Sequence, residues 1–517
     1  MRRRALLSVY DKTGILNFAK ELEKLDFEIL STGGTYRILK DAGINVTAIN
    51  EVTGFPECLD GRLKTLHPKV HGGILAVRKN ASHMEQISKL GIDLIDLVAV
   101  NFYPFKETIS KSDVSIETAI ENIDIGGPTM LRAAAKNHHD VTAVFDPSDY
   151  DKIIEEIKSI GRVSIETNFQ LAAKVFLYTT EYDSVIAAYL EKKSDAEMFP
   201  PILNLTYKKV QDLRYGENPH QKAALYKEIS STFGNITDII QLHGKELSFN
   251  NFNDINGALE LLREFNEPTV IACKHSVPCG VGSASTILEA YEKAYSADPI
   301  SIYGGILALN REVDEETAAL INKIFIEVVL APGFTKEALK ILMGKKNIRI
   351  LQLDKLKRDM DDFDIKKVSF GILVQERDQV LFGADPMIVV TKRKPTEKEM
   401  GDLLFAWKIV KHVKSNGIVI GKDGQSAGIG SGQTSRIWAT LQAISHGQEL
   451  LGSEALKGAV LASDAFFPFA DCARAAAKVG IAAIIQPGGS KNDQMSIDSC
   501  NDHGIAMVFT GMRHFRH

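Results

Sequence analysis

Cysteine and tryptophan are scarce in this chain, with five and two among 517 residues. The cysteines (Cys58, Cys273, Cys279, Cys472 and Cys500) are odd in number and widely scattered. That pattern argues against a disulfide framework and suits free thiols in a reducing compartment. No apolar run approaches the ~18 residues needed to cross a bilayer. The basic opening, residues 1–4, leads into no apolar stretch of signal-peptide length. The expectation is a soluble cytoplasmic protein with no membrane partner. Neither sign of charge dominates, since 61 Lys and Arg face 66 Asp and Glu for a net charge of −5. Such a balance argues against a general nucleic-acid-binding surface and leaves room for local basic sites. Walker A spacing and Gly-x-Gly-x-x-Gly are both missing, so ATP and dinucleotide readings get no support.

What is present fits an ordinary globular chain, 44% hydrophobic and 25% charged. Its length exceeds the ~250–300 residues that one core can organise. From residue 5 to about 190, short apolar runs alternate with helix-period segments. Residues 5–9, 27–30 and 94–100 read as strands. Ile15, Leu16, Phe18, Ala19, Leu22 and Leu25 recur on one helical face, and residues 36–42 form a helix closed by Gly43. This alternation implies a doubly wound parallel α/β sheet, whose ligands sit beyond the carboxyl ends of the strands. A charged stretch at 191–197, followed by Pro200-Pro201, marks a boundary between domains 1–195 and 196–517. The second domain needs two subdomains, divided near 355–395 by the charge-dense 355–367 region or the 392–398 stretch. No long repeat stands out. His71-Gly-Gly-Ile-Leu-Ala-Val77 and Tyr303-Gly-Gly-Ile-Leu-Ala-Leu309 match only locally, each reading as an apolar strand after Gly-Gly.

Three loops in the first domain join an apolar run to a helix through Gly, Ser or Thr. They run from Ser8 to Gly14, from Ser31 to Thr35, and from Asp124 to Thr129. Glycine turns let backbone N–H groups approach an oxyanion at a helix N-terminus, and Pro128 suits a first helical turn. Singly each fits a capped turn; together they favour one phosphorylated small molecule. Arg62, Lys64, His67, Lys69 and His71 fall within ten residues, interleaved with Leu63, Leu66 and Val70. A solvated basic loop is the bland account, but the apolar residues require packing, which aims some basic groups at a site. Arg132 and Lys136, at i and i+4 with no acidic residue between them, favour an anionic ligand.

In the second half, Lys274-His275 follows an apolar run and precedes Pro278-Cys279-Gly280. Zinc deaminases use His-x-Glu and Pro-Cys-x-x-Cys, and both are incomplete here. A buried, satisfied histidine is the bland account. A base and a cation side by side after a strand suit proton transfer with oxyanion stabilisation. Ser463-Asp-Ala-Phe-Phe-Pro-Phe469 brings three phenylalanines together, either as a core edge or as a stacking wall for an aromatic ligand.

From Ser8 to the terminal Arg513-His-Phe-Arg-His517, the chain resembles the phosphoribosylaminoimidazolecarboxamide formyltransferase / IMP cyclohydrolase family. Ser31-Thr-Gly-Gly-Thr35, Gly61-Arg-Leu-Lys-Thr-Leu-His-Pro68, Asn101-Phe-Tyr-Pro-Phe105, Asp124-Ile-Gly-Gly127, Arg214-Tyr-Gly-Glu-Asn-Pro-His-Gln221 and Lys274-His275 occur in the family's order. The resemblance implies a methylglyoxal-synthase-like N-terminal domain that closes the purine ring. Its substrate contacts carry over to Ser8, Tyr10, Asp11, Lys12, Thr32, Gly33, Gly34 and Thr35, and to Arg62, Leu63, Thr65, Asn101, Ile125, Gly126 and Gly127. Lys64, Tyr103, Asp124 and Lys136 carry over as catalytic.

The C-terminal domain is similar to two cytidine-deaminase-like subdomains. It would transfer formyl from 10-formyltetrahydrofolate to the 5-amino group of the imidazole carboxamide ribotide (AICAR), with Lys274, His275 and Asn416 as catalytic residues. Binding carries over to Arg214, Tyr215, Asn251, Gly304, Glu327, Ser435, Arg436 and Ile437, and to Phe466, Asp471, Ser490, Lys491 and Arg513. The resemblance further implies a homodimer with transformylase sites across the subunit interface and no catalytic metal, and it leaves a place for a structural monovalent cation. Tyr10, Val277, Glu327 and Cys472 depart from the usual family residues. Two other classes compete: a zinc hydrolase of deaminase type, and a nucleic-acid-binding protein using residues 62–71. Against the second stand the net charge and the lack of aromatics among those basic residues.

Overall fold

The structure is a computed structural model and describes residues 2–111, 113–194, 197–229, 235–356, 363–383 and 385–517. Residues 195–196 of the expected boundary and 357–362 of the charge-dense region lie outside these. The chain forms two compact units, residues 1–206 with 228–230, and residues 207–227 with 231–517.

The first unit is built on a parallel sheet in the order β3-β2-β1-β4-β5. Its strands are β1 (Arg3–Val9), β2 (Phe27–Ser31), β3 (Val46–Ala48), β4 (Leu97–Asn101) and β5 (Thr142–Val144). Alternation along β1 serves both faces. Ala5, Leu7 and Val9 pack with Ile15, Phe18, Ala19 and Leu22 of α1 (Ile15–Lys24). Leu6 points the other way, towards Met130, Leu131 and Ala134. These lie on α4 (Gly126–Lys136), which is preceded in the chain by α2 (Gly33–Asp41) and α3 (Pro68–Leu75) and followed by α5 (Ile165–Lys193). The sheet order reverses between β1 and β4, which opens a crevice at their carboxyl ends.

One strand expectation fails. The apolar run after Gly72-Gly73 lies in α3 and not in a strand. His67 caps that helix through Nδ1, which accepts the Lys69 N–H at 3.1 Å, and Pro68 occupies its first turn. Its counterpart after Gly304-Gly305 is indeed a strand.

The second unit has a twelve-stranded mixed sheet and two separate hairpins, β6 (Tyr207–Leu213) with β7 (Ala223–Glu228) and β14 (Phe363–Val368) with β15 (Gly371–Glu376). Its first half comprises β8 (Ile240–His243), α6 (Phe249–Leu262), β9 (Thr269–Lys274), β10 (Val277–Ser283), α7 (Ile287–Ala297), β11 (Ile306–Leu309), α8 (Glu315–Ile321), β12 (Val328–Ala331), α9 (Lys336–Leu342) and β13 (Arg349–Gln352). The second half repeats that order with β16 (Ile388–Val389), α10 (Glu397–Val410), β17 (Ile418–Lys422), β18 (Gln425–Gly430), α11 (Arg436–Leu451), β19 (Val460–Ser463), α12 (Asp471–Lys478), β20 (Ala483–Gln486), α13 (Asp493–Asp502) and β21 (Ala506–Phe509). The sheet order, β16-β21-β20-β19-β17-β18-β10-β9-β11-β12-β13-β8, is a palindrome about the β18–β10 contact.

A long internal repeat therefore exists where the sequence reading found none. Its local cause is close packing of a helix on the second hairpin strand. A Cβ on Gly280 or Gly282 would stand 2.1 or 2.2 Å from the carbonyls of Ala294 or Ala290; on Gly428 or Gly430 it would meet Ala443 or Ala439 at 2.1 or 2.0 Å. Helices α6 and α10 share one core that spans both halves, while the opposite face carries a separate core in each half.

Candidate active site

At the β1/β4 switch point lies a cavity of about 730 Å³. The loop after β1 is pinned from two sides. Asn101 Oδ1, at the end of β4, accepts the N–H groups of Tyr10 (2.5 Å) and Asp11 (2.9 Å). Thr35 Oγ1 accepts from Val9 N at 3.1 Å and donates to Val9 O at 2.9 Å. Tyr10 and Tyr103 meet edge to face with centroids 5.7 Å apart and form an aromatic wall. Lys12 also lines the cavity, and burial lowers its ammonium pKa. Helix α2 opens the far side, with Thr32 as N-cap and Gly33 at φ +56°. Amide groups at such an end suit an anion.

Two basic side chains complete the lining, each held by a carboxylate. Lys64 Nζ lies 2.8 Å from Glu57 Oε1, and Arg62 pairs with Glu121, Nε to Oε1 at 3.2 Å. Gly126 and Gly127 permit close approach at the start of α4. A Cβ on Gly126 would stand 2.8 Å from Thr65 Oγ1, and on Gly127 2.9 Å from Asp124 Oδ2. Asp124 Oδ1 accepts the Gly127 N–H at 2.9 Å, and the Asp124 N–H donates to Tyr182 Oη at 2.8 Å. Burial pushes the Asp124 carboxyl up, against the pull of the Gly127 and Tyr103 backbone N–H groups.

The sign of that shift yields a stability test. Between the ordinary carboxylate pKa, about 4, and the raised one, the folded state holds a proton that the unfolded state has lost, so stability falls as pH rises. Asp124→Asn is expected to melt higher than wild type at neutral pH, with the gap closing below about pH 4. Calorimetric melting at both pH values checks this; an equal gap at both would contradict it.

Ser8, Gly34 and Ile125 also line this cavity; Asp11, Leu63 and Lys136 do not. Asp11 instead braces its loop, with Oδ1 accepting from Thr13 N (2.9 Å) and Thr13 Oγ1 (2.7 Å). Lys136 is exposed on α4. Arg132, expected beside Lys136 on an anion-binding face, instead turns to α5, where its guanidinium lies 5.2 Å over the Phe176 ring, and does not line the cavity. His71 is also drawn away: its ring nitrogens are buried without partners, and burial lowers its pKa. Glu121, Asn122 and Met130 line the cavity without having been anticipated; nothing local in the sequence links them to Arg62.

In the second unit, Lys274 and His275 stand at the tip of the β9–β10 hairpin. Lys274 Nζ donates to Tyr303 O at 2.9 Å, and His275 is exposed. Both line a cavity of about 240 Å³ together with Cys279 and Asp298 of the first half and Gln442 and His446 of the second. Nearby strand starts supply a polar group. Asn251 Nδ2 donates to Glu327 Oε2 at 3.0 Å, and Arg349 NH1 lies 3.6 Å from that oxygen. Gly304, at φ +72°, donates its N–H to Phe325 O at 2.8 Å. Arg214 stacks 4.8 Å over the Tyr215 ring. Burial lowers the Arg349 pKa, with Arg214 adding a like charge, so Arg349 belongs to this group although the sequence did not single it out.

Across the repeat, Asn416 Nδ2 donates to Gln433 O at 2.8 Å. Arg436 pairs with buried Asp464, and Ser435 caps α11 by accepting from Trp438 N at 3.4 Å. Ile437 packs against the core, while Asp471 opens α12. Ser490 N donates to Asp493 Oδ2 at 3.1 Å, Lys491 is exposed, and Arg513 lies 4.5 Å over the Phe515 ring. The three-phenylalanine wall is only partly right: Phe467 is fully buried core, whereas Phe466 and Phe469 are exposed. Cys279 and Cys472 are both pushed up to about 12 by burial, so they are protonated thiols at neutral pH. Among the described residues, no group of three or more His, Cys, Asp or Glu side chains could hold a metal ion, and no helix is long and apolar enough to cross a membrane.

Two families match the chain: the MGS-like domain over residues 14–129, and the AICARFT/IMPCHase bienzyme over residues 134–446. The chain is 60% identical to the bifunctional purine biosynthesis protein PurH of Acetivibrio thermocellus, 57% to that of a Thermoanaerobacter species and 53% to that of Bacillus cytotoxicus. Each of these comparisons covers 100% of both chains. The chain therefore belongs to the AICARFT/IMPCHase bienzyme family and is a bifunctional AICAR formyltransferase and IMP cyclohydrolase of purine biosynthesis.

Proposed function

We propose that residues 1–195 close the purine ring and residues 196–517, as two cytidine-deaminase-like subdomains, transfer the formyl group from 10-formyltetrahydrofolate. The observation carrying this reading is that the two polar constellations lie in separate compact units, which part at residues 206 and 207.

In formyl transfer, the 5-amino group of AICAR is a poor nucleophile, because its lone pair is drawn into the ring and carboxamide. His275 takes the amine proton as nitrogen attacks the formyl carbon, and a positioned base of this kind contributes ~10²–10⁴-fold. Lys274 uses one N–H on Tyr303 O and has two more for the tetrahedral oxyanion. Collapse breaks the bond to the folate nitrogen and releases tetrahydrofolate. Asn416 completes the catalytic set, with Asn251, Gly304, Glu327, Arg214, Tyr215, Arg436 and the exposed Phe466 in binding.

Ring closure is intramolecular, so orientation does much of the work. The carboxamide nitrogen adds to the formyl carbon and water leaves. Gly33, Gly34 and Arg62 hold the 5′-phosphate, Lys64 polarises the formyl oxygen, and Tyr103 and Asp124, which line the same cavity, handle protons. Neither step is routed through a metal. The working assembly is a cytoplasmic homodimer with formyl-transfer sites across its interface. Diluting the protein below its dimer dissociation constant, followed by light scattering, is then expected to lower formyl transfer per chain and spare ring closure. Parallel losses of the two activities would contradict the shared-site arrangement.

The phosphate assignment is tested by calorimetry. Arg62→Ala is expected to weaken IMP binding by roughly an order of magnitude, as for loss of a hydrogen bond to a charged group. Unchanged affinity would remove Arg62 from the site.

A further inference from the structure

The turn that carries the proposed base has an unusual backbone. Its two residues, His275 and Ser276, have φ of 54° and 59°. Consecutive left-handed residues form the two-residue hairpin turn that suits strand twist, and Asn-Gly or Asp-Gly normally fills it. A histidine and a serine resist that conformation and persist there only where their surroundings impose it.

The surroundings here are one carboxylate. Asp254 of α6 accepts the His275 N–H (3.3 Å), the Ser276 N–H (2.7 Å) and the Ser276 hydroxyl (3.2 Å). Three residues further along the helix, Gly257 leaves room for the turn: a Cβ there would stand 3.2 Å from Ser276 O and 3.3 Å from Ser276 Cα. The other half of the repeat supplies a comparison. Its β17–β18 turn, Asp423-Gly424, has φ of 54° and 69°, and Asp402 of α10 accepts the Gly424 N–H at 3.2 Å. The carboxylate is common to both halves. The second turn has the favourable Asp-Gly pair and no histidine, whereas the first carries His-Ser and needs more hydrogen bonds to hold it.

We propose that Asp254 is a positioning residue for formyl transfer: its carboxylate locks the His275–Ser276 turn in the left-handed conformation and thereby aims the His275 ring at the substrate amine. This rests on the reading of His275 as the base. Misplacing a reacting group by about 1 Å can cost ~10²-fold, so a relaxed turn should lower kcat far more than it raises KM.

The experiment uses the full-length enzyme with AICAR and 10-formyltetrahydrofolate. Asp254→Asn should reduce kcat for formyl transfer by ~10–10²-fold with little change in KM, and leave ring closure intact. Adding Ser276→Gly, which copies the turn of the other half and tolerates positive φ, should recover most of the lost kcat. Asp402→Asn, which loosens the hairpin without the histidine, should leave kcat within about twofold. Asp254→Asn with unchanged kcat, or a loss that Ser276→Gly does not relieve, would overturn the proposal. If the single variant does not fold, the folded Asp254→Asn/Ser276→Gly protein decides: near-normal kcat supports the positioning role and lost activity overturns it. His275→Ala separates the two ideas, since full formyl transfer in that variant would overturn the base itself, not only its positioning.

Discussion

His275→Ala is expected to cut formyl transfer by at least ~10²-fold, the lower end for a lost general base, while ring closure of supplied formylated intermediate continues at the wild-type rate. The ring is exposed at a hairpin tip and supports no core, so its removal costs chemistry and not folding. The residues proposed for ring closure, Lys64, Asp124 and the loop after β1, all lie in the other compact unit. Units with their own cores tolerate a polar substitution in one another. The check is a spectrophotometric assay of tetrahydrofolate release, a separate assay of IMP formation, and circular dichroism of the variant.

A comparably large effect, on stability, is expected at Glu264. Helices α6 and α10 of the two halves share one core, and at their carboxyl ends a charged cluster joins them. Glu264 Oε1 lies 2.7 Å from Lys411 Nζ and 2.9 Å from His412 Nε2, while Arg516 NH1 lies 2.9 Å from His412 Nδ1. The Lys411 side chain is only 3% exposed. Burial acts against the Glu264 carboxylate, but His412 and Lys411 outweigh it and hold the group at about 2. Burial lowers the His412 pKa, which fits a neutral ring that donates from Nε2 and accepts at Nδ1.

Glu264→Gln strands Lys411 without a counter-charge, and breaking such a buried pair costs about 3–5 kcal/mol. Urea unfolding should show a lower midpoint for the second unit. The exposed pair Lys89–Glu85 is the control, because Glu85→Gln should change nothing measurable. The pH dependence has the opposite sign to that of Asp124. Glu264 is depressed in the folded state, so its contribution is complete above the unfolded value, about 4.3, and fades as pH falls towards 2.

Local patterns made the first unit legible. Helix α1 declares itself by Ile15, Phe18, Ala19 and Leu22, all buried as their spacing requires, whereas Leu16, expected on the same face, is exposed. The Gly-rich turns were legible as entries to helices, which begin at Gly33 and Gly126, and the approach of Asp124 to Gly127 leaves little room for a Cβ there. Contacts between distant segments were not legible. The pairing of Arg62 with Glu121 spans 59 positions, and Arg132 meets a ring on a helix that the sequence does not connect to it. Four apolar residues after Gly72-Gly73 fit helix or strand equally well, and the His67-Pro68 cap decided the matter.

The internal repeat escaped notice for a related reason. Its two halves must agree only where backbones touch, at Gly280 and Gly282 against Gly428 and Gly430, and at Asp254 against Asp402. Elsewhere hydrophobic residues interchange freely in packed sheets, so little identity remains to be seen. Lys274-His275 stands out in the sequence as a base beside a cation, but the carboxylate that accepts from its turn does not, because Asp254 lies 21 residues away on another element.

Mixing two variants tests most directly whether one chain carries two separate sites that act in succession. Lys64→Ala alone, given AICAR and 10-formyltetrahydrofolate, should release tetrahydrofolate and accumulate the formylated intermediate. His275→Ala alone should form neither intermediate nor IMP. Combined, the two proteins should convert AICAR to IMP, with the intermediate rising and then falling on chromatography. If the mixture of folded variants made no IMP, or if His275→Ala had also lost ring closure of supplied intermediate, the two-site account would be contradicted.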